Sequence, residues 1–431
     1  MKIFDFISFG KCNNLYKYIL IYVILRIINE YLFGSTMPKN IGPDIFKFHH
    51  LFVGQLFIYI PAFIISIFLY IYEKSQIEIK KIEEKGKEKK ASAILELVNN
   101  RTSLIYNRNQ PKNLNVKEII FVSILSIISK SLINNLYEID LEGIIIWVFD
   151  LFLLANINYI IFGIPIYSHK KFAIIFIIIF GSLFKIISTF EYLYNYGYDL
   201  IYKRHIILIP IIIIIYICLT LSRFYSICKI KRLLDYRYIS ISKFLMIYNF
   251  WGIIVILVPS LISTFRKCPD KNKFNDIDLI CLIKIKNNNN IEYYYDSFSY
   301  YFEQIWKKDK TYFLNILFIF LFMLKLILNG LVLLFAILII KHLSPENYLC
   351  SYEIYYFLNR LLALINSIII GENIKVNIFL FLAECANLIG IIIYLELIEI
   401  KIFNLNRNLK TNIEERSILE YNMEEIFTGD D

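Results

Sequence analysis

The chain has 431 residues, 58% of them hydrophobic and 17% aromatic, and a formal net charge of +9 at neutral pH. A mean hydropathy of +0.56 is more than one soluble core can absorb, which excludes soluble globular and disordered classes and indicates an integral membrane protein. The heavy use of Ile, Asn, Lys and Tyr, including the run Asn287 to Asn290, is a compositional bias, so a lone Asn or Lys says little about chemistry.

A membrane-crossing helix needs about 20 mostly apolar residues. Such stretches fall at 14–33, 50–72, 117–136, 142–165, 171–192, 204–222, 241–264, 312–340, 350–371 and 375–400. Runs such as Ile206 to Ile217 and Leu314 to Leu324 are apolar all round, unlike the alternating strands of a β-barrel. Lys2 and Lys11 precede the first segment, but Arg26, Asn29 and Glu30 follow without a small-residue cleavage site, so this segment reads as a retained signal anchor. After the second segment comes a polar gap, 73–116. Its opening mixes Lys with Glu73, Glu78, Glu83, Glu84 and Glu88, which suits a solvated helix extending the second span. Short connections join the third, fourth and fifth segments. Arg223, Lys229, Lys231, Arg232 and Arg237 follow the sixth, a strip that topology explains as well as lipid headgroups do. A second polar gap, 265–311, follows the seventh segment, and its tyrosines at 293–295 and 300–301 suit an interfacial aromatic belt. The tail, 404–431, is polar.

Lys and Arg of short loops stay cytoplasmic. With the N-terminus inside, the inner side holds Lys170, Lys171, Arg223, Lys229, Lys231, Arg232 and Lys341 among others, while the outer side holds only Lys39, Lys47, Lys203, Arg204 and Lys375. Both termini are therefore expected in the cytoplasm. The sequon Asn100-Arg101-Thr102 then lies in a cytoplasmic gap and stays unmodified. Cys268 and Cys281 share the opposite, lumenal or extracellular gap, where they form a disulfide or remain free thiols.

The long gaps stand at corresponding places in two sets of five segments. The expected fold is all-α: a polytopic membrane protein with ten transmembrane helices as two inverted five-helix repeats. Residues 1–192 form the first half with its cytoplasmic insertion 73–116, residues 193–403 the second with its loop 265–311, and 404–431 the cytoplasmic tail. Because five is odd, the second half is upside down relative to the first, and such repeats support alternating access around a midplane site. Lys130-Ser-Leu-Ile-Asn134 in the third segment and Lys325-Leu-Ile-Leu-Asn329 in the eighth share a spacing that puts Lys and Asn on one helix face.

Two local stretches add to this layout. The run from Tyr238 to Gly252 looks like the start of a carrier's seventh helix, and Leu343-Ser-Pro-Glu-Asn347 like the short turn before a ninth. Together with the ten-segment layout over 14–400, they resemble the drug/metabolite transporter superfamily, whose eukaryotic members include nucleotide-sugar and triose-phosphate carriers. The long 265–311 loop and the low glycine content, 14 residues, depart from that family's pattern. The resemblance implies that the third and eighth helices line a central cavity.

Ionisable groups inside the membrane are costly and therefore functional candidates. Lys325, Arg360 and Lys130, with Asn329 and Asn134, are the candidate substrate-binding residues, suited to a phosphate or carboxylate; for either Lys, snorkelling or neutralising a carboxylate is the alternative. Asp150 and Glu384 are the most interior carboxylates, available for proton coupling or a structural ion pair. Arg26 and Glu30 are placed to neutralise each other. His49 and His50 lack metal-ligand spacing, and neither a GxxxxGK loop nor a GxSxG elbow is present. No helix carries the polar stripe of a hydrated pore. The expectation is a transporter rather than an enzyme, without cofactor, for a small anionic solute, in contact with the lipid bilayer, with no nucleic acid and with a homodimer allowed. A membrane-embedded transferase or a non-transporting scaffold is the alternative.

Overall fold

The computed structural model describes residues 16–33, 52–88, 116–138, 149–163, 166–188, 208–236, 239–265, 283–287, 290–294, 296–298, 312–370 and 378–397. Their helices are α1 (Tyr16–Phe33), α2 (Phe52–Glu88), α3 (Val116–Glu138), α4 (Asp150–Phe162), α5 (Ser168–Ser188), α6 (Leu208–Tyr236), α7 (Ile241–Phe265), α8 (Tyr312–His342), α9 (Pro345–Ile370) and α10 (Ile378–Tyr394). By length and composition, five spans are apolar enough to cross a membrane: Phe52–Ser75, Ser168–Ser188, Ile213–Asp235, Ile241–Phe265 and Ile319–His342. Such helices are those of an integral membrane protein. Large apolar side chains such as Phe68, Ile160, Val258 and Ile369 point outward, a cost in water that a lipid environment removes.

Several boundaries follow from local chemistry. Gly163 ends α4 at φ +71, in the left-handed region, with its N–H bonded to the Tyr159 carbonyl at 2.8 Å; glycine reaches that conformation without a Cβ penalty. Ser240 accepts a hydrogen bond from the Lys243 N–H at 3.3 Å and so caps α7. Pro345 opens α9, where its missing N–H costs nothing, and Glu346 complements the positive end of the helix dipole. The turn read at 343–347 is thus shorter than expected, and its Glu346 and Asn347 belong to α9. The helix α6 runs on to Tyr236, past the expected end at 222, because no Gly or Pro interrupts the basic strip. The 265–311 loop departs from an all-helical chain: β1 (Ile283–Asn287) and β2 (Asn290–Tyr294) pair antiparallel, Ile283 opposite Tyr294 and Asn287 opposite Asn290.

The chain divides into two compact units, and each takes segments from both sequence halves. The larger covers residues 20–145 and 207–345, and the smaller covers 1–19, 146–206 and 346–431.

In the larger unit, α2 packs antiparallel on α7. Gly252 lies so close to Tyr59 that an added Cβ would meet the ring at 2.5 Å; Phe63 meets Phe250 with ring centres 6.0 Å apart, and the Ser242 hydroxyl donates to Glu73. The other flank of α2 packs parallel on α8, Phe57 against Phe322 at 5.3 Å and Ala62 beside Gly330. Beyond α7 comes α3, joined by Ser126 and Tyr248 hydroxyls 3.3 Å apart, and beyond α3 comes α6, where Ile133 packs on Tyr216. On the outer side of α8, Asn29 of α1 donates to Asn329 at 2.8 Å. The contacts therefore run α1, α8, α2, α7, α3, α6, and α6 also touches α8.

In the smaller unit, α4 packs antiparallel on α9, with Asn158 bonded to Glu346 and Asp150 lying beside Leu349 and Glu353. The helix α5 is antiparallel to α10: His169 meets Glu396, Lys170 lies over the Tyr394 ring at 4.9 Å, and Ile177 covers Gly390. Ile177 opens a π-helical turn, Ile177–Gly181. Such a bulge frees backbone groups from the regular ladder and recurs at functional sites.

Candidate functional site

Among the described residues, a connected set of buried and half-buried polar groups lies on α4, α9 and α10 of the smaller unit. Three features of the sequence bring it together. On α9, Glu346, Glu353 and Arg360 recur every seven residues, two turns apart, so they follow one face. On α10, Glu384 and Asn387 are three apart, one turn along one face. Asp150 stands at the first turn of α4, where the helix dipole favours a carboxylate.

The geometry is ionic at one end. Arg360 Nη1 stands 2.5 Å from Glu384 Oε1, the Glu384 side chain is 6% exposed and that of Arg360 34%. Arg360 Nη2 donates to the Tyr356 hydroxyl at 3.0 Å, and the guanidinium lies over the Tyr356 ring, 5.0 Å from its centre. One turn further along α10, Asn387 Nδ2 donates to Glu353 Oε2 at 3.0 Å. Asp150, Leu151, Leu349, Cys350, Glu353, Asn387 and Ile391 then line a small cleft with room for about one water molecule. At the far end Asn158 Nδ2 donates to Glu346 Oε1 at 2.5 Å. Glu346, Glu353 and Glu384 are each held by an amide or a guanidinium, as a low-dielectric interior demands.

A strained residue closes the cluster. Glu396, just past α10, has φ +61, a conformation that costs a residue with a Cβ about 1 kcal/mol or more. Two bonds hold it there, Glu396 N–H to the Ile393 carbonyl and Leu397 N–H to the Ile392 carbonyl, both 3.1 Å. Its carboxylate also stands 2.9 Å from His169 Nε2 on α5.

The candidates read from the sequence divide between the units. Arg360, read as a substrate cation, and Glu384, read as a carboxylate for proton coupling or an ion pair, are paired with each other. Asp150 is on the same cleft as Asn387. Lys325, Asn329, Lys130 and Asn134 belong to the larger unit. There Asn329 meets Asn29, Lys325 is buried at 8% exposure, and Lys130 and Asn134 are half-buried. Arg26 donates to the Tyr22 hydroxyl at 2.8 Å; its expected partner Glu30 has a side chain that lies outside the described residues. Cys268 and Cys281 lie outside them too, as do His49, His50 and the sequon at 100–102; Cys218, Cys228, Cys350 and Cys385 are not in disulfides.

Sequence reasoning missed three groups. Asp296 is fully buried and accepts hydrogen bonds from the Val53 N–H at 2.7 Å and from the Ser297 N–H at 2.9 Å, so a loop residue caps α2. Glu346 was seen only as part of a turn. Asn249, on α7, has 0% exposure, and both of its side-chain polar atoms lack a hydrogen-bond partner. The low polarity around it gave no warning, since an Asn within an apolar run looks the same whether it faces lipid or protein. Among the described residues no group of three His, Cys, Asp or Glu side chains is arranged to hold a metal ion.

No protein-family model matches this chain, and no curated protein matches it either.

Proposed function

We propose that the chain is a carrier, not an enzyme, that moves a small anionic metabolite of nucleotide-sugar or sugar-phosphate type by alternating access between two inverted five-helix repeats. One observation carries the reading: a row of six helices and three helix couples are kept when the halves are exchanged, while the contacts of α8 with α6 and α7 stand outside that exchange. Replacing α1–α5 by α6–α10 and the reverse turns the row α1, α8, α2, α7, α3, α6 into the same row read backwards. The couples α2 with α7, α4 with α9 and α5 with α10 map onto themselves.

Direction supports inversion. A two-fold axis in the membrane plane makes every self-mapped couple antiparallel, whereas an axis along the membrane normal makes it parallel. All three couples are antiparallel, on the contacts Tyr59 to Gly252 and Glu73 to Ser242, Asn158 to Glu346, and His169 to Glu396 with Ile177 to Gly390. In this reading the repeats resemble those of the drug/metabolite carriers and both termini face the cytoplasm. The guanidinium of Arg360 supplies planar donors for a phosphate or carboxylate.

The test is counterflow. Full-length protein in vesicles preloaded with a sugar phosphate or nucleotide sugar is expected to take up the labelled compound, with Arg360→Gln and Lys325→Gln each cutting the initial rate by about tenfold, the loss of roughly 1.4 kcal/mol of transition-state binding. Uptake unaffected by either change, or substrate turnover in detergent, overturns the reading.

A further inference from the structure

We propose that Asn249 and Ser66 are positioning residues of the transport cycle: they face each other across α7 and α2, unbonded in this conformation, and a hydrogen bond between them forms in the opposite access state. This rests on the carrier reading.

Register brings the two together. Ser242 on α7 donates to Glu73 on α2, and two turns further along each helix, on the same faces, stand Asn249 and Ser66. Beyond them Phe63 meets Phe250, ring centres 6.0 Å apart, and Tyr59 meets Gly252, so the antiparallel register holds on both sides of the pair. Both side chains have 0% exposure. The Ser66 hydroxyl turns back to the Phe63 carbonyl of its own helix at 2.6 Å, and the Asn249 amide bonds to nothing among the described residues. An amide without a partner in an apolar interior is a standing cost to this conformation. A leucine of similar shape would avoid it; the amide is of use only where a partner comes within reach.

Ser66 is that partner. Its hydroxyl both donates and accepts, which suits the carbonyl and the NH2 of an amide alike, and bonds of this kind join helices in membranes. Because α2 and α7 come from opposite halves of the proposed repeat, their contact changes when one half rocks against the other. The place for the movement is built in. Pro61 stands in α2 between Tyr59 and Ser66 and removes a backbone donor from the helix ladder, and helices bend at such breaks. Tyr59 and Ser66 lie on opposite sides of the break, so the Tyr59 ring keeps its seat on Gly252 while Ser66 closes on Asn249.

The experiment measures melting in detergent and counterflow in vesicles on the same full-length variants, with glucose 6-phosphate and UDP-glucose as the labelled compounds. Asn249→Leu is expected to raise the melting temperature by about 3 °C, because it removes an unpaired amide from this conformation. It should cut the maximal counterflow rate about tenfold with the half-saturating concentration unchanged, since it relieves this state and loses the bond of the other. Ser66→Ala is expected to leave the melting temperature in place, its hydroxyl being bonded within its own helix, and to slow counterflow about threefold, the rate equivalent of one membrane hydrogen bond. The double variant should be no slower than Asn249→Leu alone, whereas independent effects multiply to about thirtyfold. A melting temperature that Asn249→Leu lowers or leaves unchanged means that the amide is already bonded, to a water or otherwise, and overturns the proposal. So does a multiplied loss in the double variant, or a raised half-saturating concentration at full maximal rate, which makes Asn249 a solute contact instead. Ser66→Ala probes the same bond without crowding the core, and unchanged counterflow there is enough to overturn the proposal. All of these results leave the carrier reading standing. Wild-type vesicles that exchange neither compound overturn that reading, and the proposal with it.

Discussion

In the larger unit the closest helix approaches are made by glycine and by neutral groups: Gly252 under Tyr59, Gly330 beside Ala62, Asn29 on Asn329, Ser126 on Tyr248. Charged groups also meet across its helices, Glu73 with Ser242 and Lys231 with the Lys341 carbonyl. Among the described residues the smaller unit has one glycine seat, Gly390 under Ile177, and carboxylates join α4, α9 and α10 through Glu346, Glu353 and Glu384. The difference is one of mechanism. Glycine contacts depend on shape, which neither proton nor salt alters, whereas a carboxylate held by a guanidinium is two-valued and changes when either partner changes charge.

Three substitutions sharpen or break that contrast. The largest effect is expected from Arg360→Gln, which strands the buried Glu384 charge; the cost is about 3 kcal/mol, the lower end for a broken buried pair, because Arg360 is partly exposed. Thermal unfolding in detergent measures it, and Arg360→Gln combined with Glu384→Gln should recover most of the loss. A double variant no better than the single one removes the ionic account of the smaller unit. Next comes Gly252→Ala, whose Cβ meets the Tyr59 ring at 2.5 Å; a loss of about 2 kcal/mol is expected from overpacking, the same at acid and neutral pH. A strong pH dependence there would erase the distinction between the units. The smallest is Asn329→Ala, about 0.6 kcal/mol, the usual worth of a membrane hydrogen bond, measured by the same melt and matched by Asn29→Ala without further loss in the double variant.

Helix positions were legible because long apolar runs have one physical solution in lipid, a backbone bonded to itself. The ends were legible where punctuation exists, as at Gly163, Ser240 and Pro345, and misplaced where it does not, as in the basic stretch of α6. Azimuth was the hidden quantity. A helix apolar on every side has no stripe that points inward, so nothing in the sequence told that Arg360 and Glu384 face each other or that Lys325 and Arg360 belong to different units. The shared spacing of Lys130 with Asn134 and Lys325 with Asn329 did carry azimuth, since four residues fix one face, and Asn329 does meet a polar partner. Asp296 left no local trace at all, because its partner is a backbone N–H remote in sequence.

That cap also bears on the order of assembly. Val53 and Asp296 are separated by 243 residues, so the Val53 N–H in the first turn of α2 leaves the ribosome long before the carboxylate that caps it, which is made only as the eighth segment is about to begin. At roughly 5–20 residues per second the wait is on the order of tens of seconds, long on the scale of helix formation. The second helix is thus among the first to be inserted and among the last to be finished, and a chain stopped before residue 296 lacks the group that completes it.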